Sequence, residues 1–594
     1  MKKGILTIWL VGMVLVHHAK AQKEGDTWMI GYSQAPSLTY SIMHLDFTSG
    51  DMIVRYDPKE FSYLSETCSN ICNIQGEPLL WTNGMQVRGL GNIDVIDTIA
   101  YNLPYDFYWD ISYIHAINFP GGFVYLGGAL MLPDPKTDST YKVIYHSAIR
   151  DQVYLFRFNS WLQASITLNK DSIFTVHYTD SIFAHSNQGY SQSINAVRHG
   201  NGHDWWLFSI GLESSTYEAY LLNDDGIQLH HSGDIGGLVG AGFGQTIISP
   251  KGNYMAKNEI ENTSQSLKLT LFSIDRCSGV LQLMEEFDLG DSVSRGGVAF
   301  SPSDRYLYAS GPFTKVWQFD LWAEDIGASK TLIGEDDGFI EPGWLNLGFG
   351  PMMQTPDGRI YVLPTAGSSR YMHVIDRPDL PADSCKFIQH HIDLRSPNGK
   401  SAPNIPNYRL GPIDGSPCDT LGINNLATSR WRWEVNDSID PLIIRFTDLS
   451  FYKPDSWTWD FDDGNDADIP SPIHTFPDYG LYHVCQTVEN QYQRDSTCHW
   501  VELLPTVSVD DPRYVPFSIE PNPFTDELRI IYHADGYTTG EVILTDLQGR
   551  QLLHTGIIPL PITLQINDLP SGMYICTVRE ADGRITSMKV IKGE

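Results

Sequence analysis

An alternation of apolar and polar residues, interrupted by turn-forming residues, runs through most of the chain between residues 22 and 415. It is clearest in three segments, ISPKGNYMAKNE (248–259), FSPSDRYLYAS (300–310) and QTPDGRIYVLP (354–364). Their prolines, at 250, 302 and 356, are 52 and 54 residues apart. Each segment predicts a strand, a tight turn and a second strand.

A third strand is predicted after each pair, and these strands end near Asp275, Asp320 and Asp376. A repeat of about 50 residues made only of strands indicates propeller blades, because each small sheet needs neighbours to bury both of its faces. Looser copies bring the prediction to about seven blades in an all-β fold; they occur at 26–50, 77–89, 141–158 and 203–226. A pair of β-sandwiches is the alternative.

Four phrases in this region resemble propeller-like segments of exported proteins from Bacteroidetes-type bacteria. They are SNICNIQGEPLLWTNG (69–84), AVRHGNGHDWWLFS (196–209), SPSDRYLYAS (301–310) and APNIPNYRLG (402–411). The resemblance covers most of 60–412 and implies an architecture rather than an activity. We therefore expect a β-propeller over residues 22–415.

A different pattern begins after this region and predicts a second domain over 420–505. The segment SWTWDFDDGNDADIPSPIHTFPDYGLYHVCQTVEN (456–490) resembles a PKD domain, a small immunoglobulin-like sandwich. Asp462 stands where the family usually has glycine. The matching positions are Trp459, Asp460, Phe461, Asp463, Gly464, His474, Gly480 and Tyr482. PKD-like modules usually act as spacers or as surface-binding units.

The same segment is rich in acidic residues, which raises calcium as an alternative because hard cations prefer several oxygen ligands. The spacing is not that of an EF-hand, so turn and loop acids are the favoured interpretation. The acids concerned are Asp460, Asp462, Asp463, Asp466 and Asp468. We predict no cofactor and no metal site.

The last part of the chain, 515–594, predicts a small β-sandwich. Its phrases PNPF (521–524), VILTDLQGRQLL (542–553), LPSGMYICTV (569–578) and MKVIKGE (588–594) resemble, in this order, the C-terminal sorting domain of the type IX secretion system. The motif positions are Pro521, Asn522, Pro523, Phe524, Asp546, Gly549, Arg550, Gly572, Tyr574 and Lys592. The resemblance implies contact with the secretion machinery and export of the folded protein. A third, purely structural domain is the alternative.

The N-terminus predicts a signal peptide over residues 1–21. Lys2 and Lys3 precede an apolar stretch from Ile5 to Val16 that is too short to span a bilayer, and Ala19-Lys20-Ala21 has the small-x-small cleavage pattern. We find no later apolar stretch long enough for a transmembrane helix. The expected location is therefore outside the cell or on the outer-membrane surface, reached through the periplasm.

The charge balance disfavours anionic partners. With 40 basic and 71 acidic residues, the formal net charge is −31. Such a surface repels the phosphates of nucleic acids and anionic lipid headgroups. We therefore expect no nucleic acid partner.

Eight cysteines are few for 594 residues, so any disulfides are expected to be local staples. Cys485 and Cys498 flank a predicted hairpin, and a cross-strand bridge between them is plausible there. Cys68 and Cys72 have no second pair of the kind that zinc sites use, so a free or locally bridged pair is favoured over a metal site.

No motif of a known catalytic centre occurs in the sequence. His199 and His203 are separated by glycines and predict turn residues. His230 and His231 are adjacent, so their side chains should point to opposite faces of a strand. Trp205 and Trp206 are expected in the core of a blade. No residue is predicted to be catalytic.

Three hypotheses of function remain. The first is an exported binding or adhesion protein whose propeller loops present a surface to a glycan or protein. The second is a hydrolase of polysaccharide or peptide with its site in the propeller funnel, since propellers support both roles. Two carboxylates at glycosidase spacing, or a histidine cluster, would favour the hydrolase. A structural adhesin component is a third hypothesis.

Overall fold

The structure is a computed structural model in which the chain forms two compact units. One contains Met1–Val435, Ile444–Thr475 and Tyr482–Val501, and the other contains Asn436–Ile443, Phe476–Leu481 and Glu502–Glu594. The structure describes residues 23–593 except 32–40, 58–63, 65, 85, 90–92, 97–125, 152–154, 170–172, 185–192, 212–213, 240–243, 261–265, 292–295, 312–313, 342–347, 366–368, 399, 437–439, 504–516, 521–523, 533–537, 547–549, 561, 567–568 and 581–584. The predicted signal peptide lies outside the described residues.

The propeller prediction is confirmed: the described part of residues 22–415 forms seven antiparallel sheets in chain order, which we number blades 1 to 7. Blade 1 has three strands and each later blade has four. The strands of blades 1 to 4 are β1 (Thr27–Gly31), β2 (Ile42–Asp46), β3 (Ile53–Asp57); β4 (Ser69–Cys72), β5 (Pro78–Thr82), β6 (Val87–Gly89), β7 (Ile93–Ile96); β8 (Ala129–Pro133), β9 (Thr140–Asp151), β10 (Leu155–Leu168), β11 (Phe174–Ala184); β12 (Asn195–Arg198), β13 (Trp205–Ile210), β14 (Ser214–Asn223) and β15 (Gly226–Val239).

Blades 5 to 7 correspond to the three segments in which the sequence repeat is clearest. Their strands are β16 (Gly244–Ile248), β17 (Tyr254–Ile260), β18 (Ser266–Asp275), β19 (Val280–Asp291); β20 (Val298–Phe300), β21 (Tyr306–Ser310), β22 (Lys315–Asp320), β23 (Thr331–Glu335); β24 (Phe349–Gln354), β25 (Ile360–Pro364), β26 (Ser369–Ile375) and β27 (Phe387–Asn398). Short 3₁₀ helices at Gly327–Ser329 and Ala382–Cys385 precede β23 and β27.

Apolar side chains fill the spaces between successive blades. Blades 5 and 6, for example, share a core that includes Leu269 and Phe319, and blades 7 and 1 share one that includes Tyr361 and Trp28. Each sheet therefore buries both faces against its neighbours, as the short repeat requires. The contact between the last and the first blade closes the ring.

The turn between the first two strands explains the repeated sequence phrase. Two residues after each proline, the backbone has a positive φ: +74° at Gly252, +64° at Asp304 and +79° at Gly358. The N–H of this residue donates to a carbonyl three residues earlier in all three turns. Glycine, and less often aspartate, adopts this left-handed conformation, which accounts for both residue types.

The PKD-like region forms two sheets whose facing sides are aromatic. The strands are β28 (Trp431–Val435), β29 (Ile443–Asp448), β30 (Ser456–Asp460), β31 (Asp466–Ala467), β32 (Ile473–Thr475), β33 (Gly480–Glu489) and β34 (Arg494–Leu503), in the orders β28-β29-β32 and β31-β30-β33-β34. Trp431 and Trp459 meet edge to face with ring centroids 5.3 Å apart, and Phe446 packs against both.

The C-terminal region also forms two sheets around one apolar core, which contains Phe524, Leu544 and Val578. Its strands are β35 (Phe517–Glu520), β36 (Glu527–Tyr532), β37 (Thr538–Thr545), β38 (Gln551–Leu560), β39 (Ile562–Gln565), β40 (Gly572–Glu580) and β41 (Ile585–Lys592), in the orders β35-β36-β39 and β38-β37-β40-β41. The sandwich predicted for this region is confirmed.

Candidate functional site

Residues 402–418, which we call the strap, leave the last blade and cross the propeller on the side of the repeated proline turns. Asn404 Nδ2 donates to the carbonyls of Ala129 and Ile194, at 3.0 and 2.8 Å. The hydroxyl of Tyr408 donates to the carbonyl of Met131 at 2.8 Å. The strap thus satisfies polar backbone groups at the inner strands of blades 3 and 4.

Further along, two buried arginines of the blades bind the strap. Arg198 donates to the carbonyl of Tyr408 at 3.2 Å, and Arg276 donates to that of Gly411 at 2.7 Å. A disulfide then joins Cys277 of blade 5 to Cys418. The expectation that bridges would be local is wrong for this pair, which is separated by 141 residues.

A cavity of about 340 Å³ lies between the strap, the inner strands of the propeller and residues 448–451 of the PKD-like region. Its size is at the lower end of the range usual for small-molecule sites. The lining includes aromatic rings and neutral polar groups, among them Trp28, Asn195, Thr246, Gln354, Asn407, Tyr408, Ser450 and Phe451. Thr246 Oγ1 is buried and has no hydrogen-bond partner in the described part of the chain.

Two charged side chains are among the described residues of the lining, and both are already paired. Arg409 forms an ion pair with buried Asp26, which also binds Arg430 at 2.9 Å. Asp448 accepts hydrogen bonds from Gln486 and Trp457, at 2.7 and 2.9 Å. Burial nevertheless raises the pKa of Asp448.

The described lining of the cavity is poor in ionisable groups. Asp448 is the one carboxylate among its described lining residues, so no acid and base pair faces the space. No histidine of the described chain lines it either. Neutral amides, hydroxyls and aromatic rings suit an uncharged polar ligand.

The PKD-like region packs directly against the propeller. Arg432 Nε donates to the carbonyl of Asp357 at 2.8 Å, and Arg359 of blade 7 pairs with Glu434 at 2.8 Å. Arg359 also contacts Asp51 of blade 1 at 2.6 Å and Asp376 at 2.8 Å. Two contacts therefore join the first strand of the PKD-like region to blade 7, one from Arg432 to the carbonyl of Asp357 and one from Arg359 to Glu434.

The PKD motif residues form one cluster. Trp459 and Phe461 are buried, and the ring of Phe461 stacks on His474 with centroids 4.0 Å apart. His474 Nε2 lies 2.7 Å from Asp463 Oδ2. Burial would raise the pKa of Asp463, but the hydrogen bonds from His474 and Asn465 hold it below its usual value.

The other PKD motif positions form the turn and the returning strand. Asp462 has φ +61°, the conformation that the family's usual glycine adopts easily, and its neighbour Gly464 has φ +89°. Asp460 accepts the N–H of Asp462 at 3.0 Å. Gly480 begins β33, and Tyr482 follows within the same strand.

The five acids of this region are not gathered into one group. Asp462 accepts a backbone N–H from His483, and Asp466 and Asp468 are exposed. Within the described residues, the one group of three potential metal ligands within 4.8 Å is His483, Cys485 and Cys498. Cys485 and Cys498 are joined in a disulfide, so their sulfurs are not available as thiolates.

Cys68, Cys72, Trp205 and Trp206 are buried, and His230 and His231 lie beside Trp206. Cys68 and Cys72 are buried free thiols, and burial raises the pKa of Cys72 to about 12. Trp205 and Trp206 lie in the core, as expected. The prediction for His230 and His231 is wrong: an irregularity between β14 and β15 lets both rings approach Trp206, with centroids 5.0 and 6.3 Å away.

His199 and His203 are turn residues. Asn201 donates its N–H to His199 Nδ1 at 3.0 Å. His203 Nδ1 lies 2.8 Å from the carboxylate of Asp204, and this hydrogen bond raises the pKa of His203. The loop is therefore held by its own side chains.

Several sorting-motif residues stabilise the C-terminal sandwich. Phe524 is buried, and Lys592 pairs with it in a parallel bridge. Arg550 Nε donates to Asp546 at 2.9 Å. Gly572 opens β40, where the Tyr574 hydroxyl donates to the carbonyl of Pro570. Pro521, Asn522, Pro523 and Gly549 lie outside the described residues.

Two parts of the chain match known families. Residues 441–503 match the PKD domain, and residues 518–592 match the secretion system C-terminal sorting domain. The second match supports export to the cell surface or secretion and implies interaction with the secretion machinery. No helix among the described residues is long and apolar enough to cross a membrane.

Solved structures that resemble the chain include propeller proteins of low sequence identity. A protein from Lactobacillus plantarum is 14% identical and covers 63% of this chain and 98% of its own, with a TM-score of 0.37. The periplasmic gluconolactonase of Pseudomonas aeruginosa is 11% identical over 76% of this chain and 99% of its own, with a TM-score of 0.28.

The β-propeller domain of Nup133 from Vanderwaltozyma polyspora is 9% identical over 55% of this chain and 86% of its own, with a TM-score of 0.30. A search of curated protein sequences finds no match to this chain. The seven sheets themselves establish the propeller, and the two family matches establish the domains that follow it.

Proposed function

We propose that the protein is an exported binding protein, released or retained at the outer-membrane surface, whose propeller holds a glycan or protein ligand. The cavity beneath the strap is the observation that carries this proposal. It is lined by neutral polar groups and aromatic rings, with its two charged side chains already paired. Such a lining favours recognition over hydrolysis.

The location in this proposal rests on the sorting domain. A module of this kind at 518–592 would deliver the folded propeller and PKD-like region outside the cell. The net charge of −31 suits an exported protein that remains soluble and rejects nucleic acids.

The test is a glycan array run beside a hydrolysis screen with the chain from residue 22 onward. Binding without turnover of the bound glycan is the expected result. Thr246→Val, which removes the unpartnered hydroxyl of the cavity and keeps its shape, should weaken binding. Turnover of a bound polysaccharide or peptide would replace this proposal with the hydrolase hypothesis.

A further inference from the structure

Trp322 is an exposed aromatic residue on blade 6, just after β22. This residue is 62% exposed, while the preceding Leu321 is buried in the core between blades 5 and 6. The N–H of Trp322 donates to Asp320 Oδ1 at 3.0 Å. The backbone is therefore held in place at Asp320 and Leu321, just before Trp322, while the indole remains open to solvent.

Arg305 borders this indole. Its guanidinium carbon lies 5.2 Å from the centroid of the Trp322 ring, and its Nε and Nη2 bind the carboxylate of Asp320 at 3.3 and 2.9 Å. Among the described residues, none accepts a hydrogen bond from Nη1. A fixed cationic donor therefore stands beside the exposed ring.

The corresponding positions of blade 7 allow a comparison with this arrangement in blade 6. Arg359 occupies the same repeat position in blade 7 and pairs with Asp376, the counterpart of Asp320. There, the guanidinium is also committed to Asp51 and to Glu434 of the PKD-like region. Blade 6 has the corresponding arginine–aspartate pair, but among the described residues Arg305 has no ion pair like those of Arg359 with Asp51 and Glu434. Blade 6 also has Trp322 where blade 7 has Pro378.

The charges around Trp322 restrict the ligand. Glu324 and Asp325 follow within three residues, and the exposed Asp379 accepts the N–H of Ser303, two residues before Arg305. With Asp320, four carboxylates accompany one guanidinium. An anionic ligand is repelled by this surface, whereas a neutral ligand with hydroxyl groups finds both donors and acceptors.

We propose that Trp322, Arg305 and Asp320 form a surface subsite for a neutral saccharide. A pyranose ring has an apolar C–H face that would cover the indole, and its hydroxyls would accept from Arg305 Nη1 and donate to the carboxylates. This inference rests on the proposed function and makes its ligand class specific. The subsite is separate from the lining of the cavity beneath the strap.

The test uses the chain from residue 22 and a panel of soluble neutral oligosaccharides of glucose, mannose, galactose and xylose, with binding measured by calorimetry. Trp322→Ala should weaken binding about tenfold, the scale expected for the loss of one aromatic contact. Arg305→Lys keeps the charge and removes the planar fork, so it should weaken binding as well.

Trp500→Ala is the matched control, because Trp500 is 61% exposed but lies against His483, with ring centroids 4.6 Å apart, instead of bordering an arginine–aspartate pair. It should leave affinity unchanged. Equal affinity for the wild type and Trp322→Ala would overturn the subsite and leave the proposed function intact. If no oligosaccharide of the panel binds the wild type, the subsite is overturned, whereas the proposed function is decided by the glycan array.

Raising the salt concentration from about 50 to about 500 mM should change the affinity little, since a neutral ligand is not screened. A steep loss of affinity with salt would show that binding does not depend mainly on contact between a neutral sugar and the indole, and it would overturn the subsite.

Discussion

The ammonium group of Lys592 lies over the ring of Phe524, 5.5 Å from its centroid. It donates to the carbonyl of Ile566 at 3.1 Å and to that of Thr525. The Phe524 N–H donates to the carbonyl of Ile591 at 2.8 Å. The last strand of the chain is therefore tied to the first motif of the sorting domain, about seventy residues earlier.

Lys592→Gln should destabilise the C-terminal sandwich by about 2–3 kcal/mol, because it leaves buried carbonyls without a charged donor. Hydrogen exchange of residues 517–593 measures this loss. Arg550→Gln is the control: its side chain is 79% exposed, and its ion pair with Asp546 should contribute little. If both substitutions accelerate exchange equally, Lys592 does not stabilise this domain more than Arg550 does.

Removing Asn404 from the strap should loosen the ring. Asn404→Ala deprives the carbonyls of Ala129 and Ile194 of their donor, and the expected loss in the free energy of unfolding is about 2–4 kcal/mol. Urea unfolding followed by tryptophan fluorescence measures it. Asn407→Ala removes two exposed bonds, one donated to the carbonyl of Pro250 and one accepted from the N–H of Arg409, and should cost less because water can replace both partners.

The two disulfides should differ in their contribution to stability. The Cys277–Cys418 bridge closes a separation of 141 residues, and the Cys485–Cys498 bridge closes one of 13. The chain-entropy relation then predicts that the long bridge stabilises the fold by about 2 kcal/mol more. Unfolding of the two Cys→Ser double variants under oxidising conditions compares them. Equal losses would show that native-state effects dominate over chain entropy.

His373 should make the protein sensitive to acid. It is 1% exposed, and burial, helped by the neighbouring His390, lowers its pKa to about 3 from the ordinary 6.5. Between these two values the unfolded chain takes up a proton that the native state does not. Stability should therefore fall as the pH drops from about 6.5 to about 3, by an amount on the order of 3–5 kcal/mol.

His373→Asn tests this because an asparagine oxygen can still accept the His390 N–H that His373 Nδ1 accepts at 3.2 Å. Between about pH 7 and pH 4, the free energy of unfolding should fall less in the variant than in the wild type. The difference between the two proteins at about pH 8, where histidine is neutral in both states, measures the change in packing alone. Parallel pH profiles for the two proteins would contradict the assignment.

The sequence predicted those features that depend on local patterns. Proline turns at 250, 302 and 356 identified the blades, and the phrases around Trp459 and Phe524 identified the two sandwiches. The arrangement around the strap could not be predicted in this way. Asn404 and Tyr408 act on blades more than 200 residues earlier, and no local pattern records that distance.

The same reason explains two errors. The position at which the strap ends in space determines that Cys418 is the partner of Cys277. An irregularity in strand pairing determines the positions of His230 and His231, and the alternation of residues does not reveal it. Trp322 lies just after the third strand that was predicted to end near Asp320, and its exposure became visible only with the buried Leu321 beside it.

The strap follows all seven blades in the chain, and this gives ring assembly an order. The chain is made from its N-terminus, so the blades precede the strap that fastens them. The Cys277–Cys418 bond can form only after residue 418 is present. The core shared by blades 7 and 1 includes Ala402 of the strap, so the strap takes part in closing the ring as well as in locking it. Locking of the ring by this bond therefore requires that the chain up to residue 418 has reached the compartment in which disulfides form.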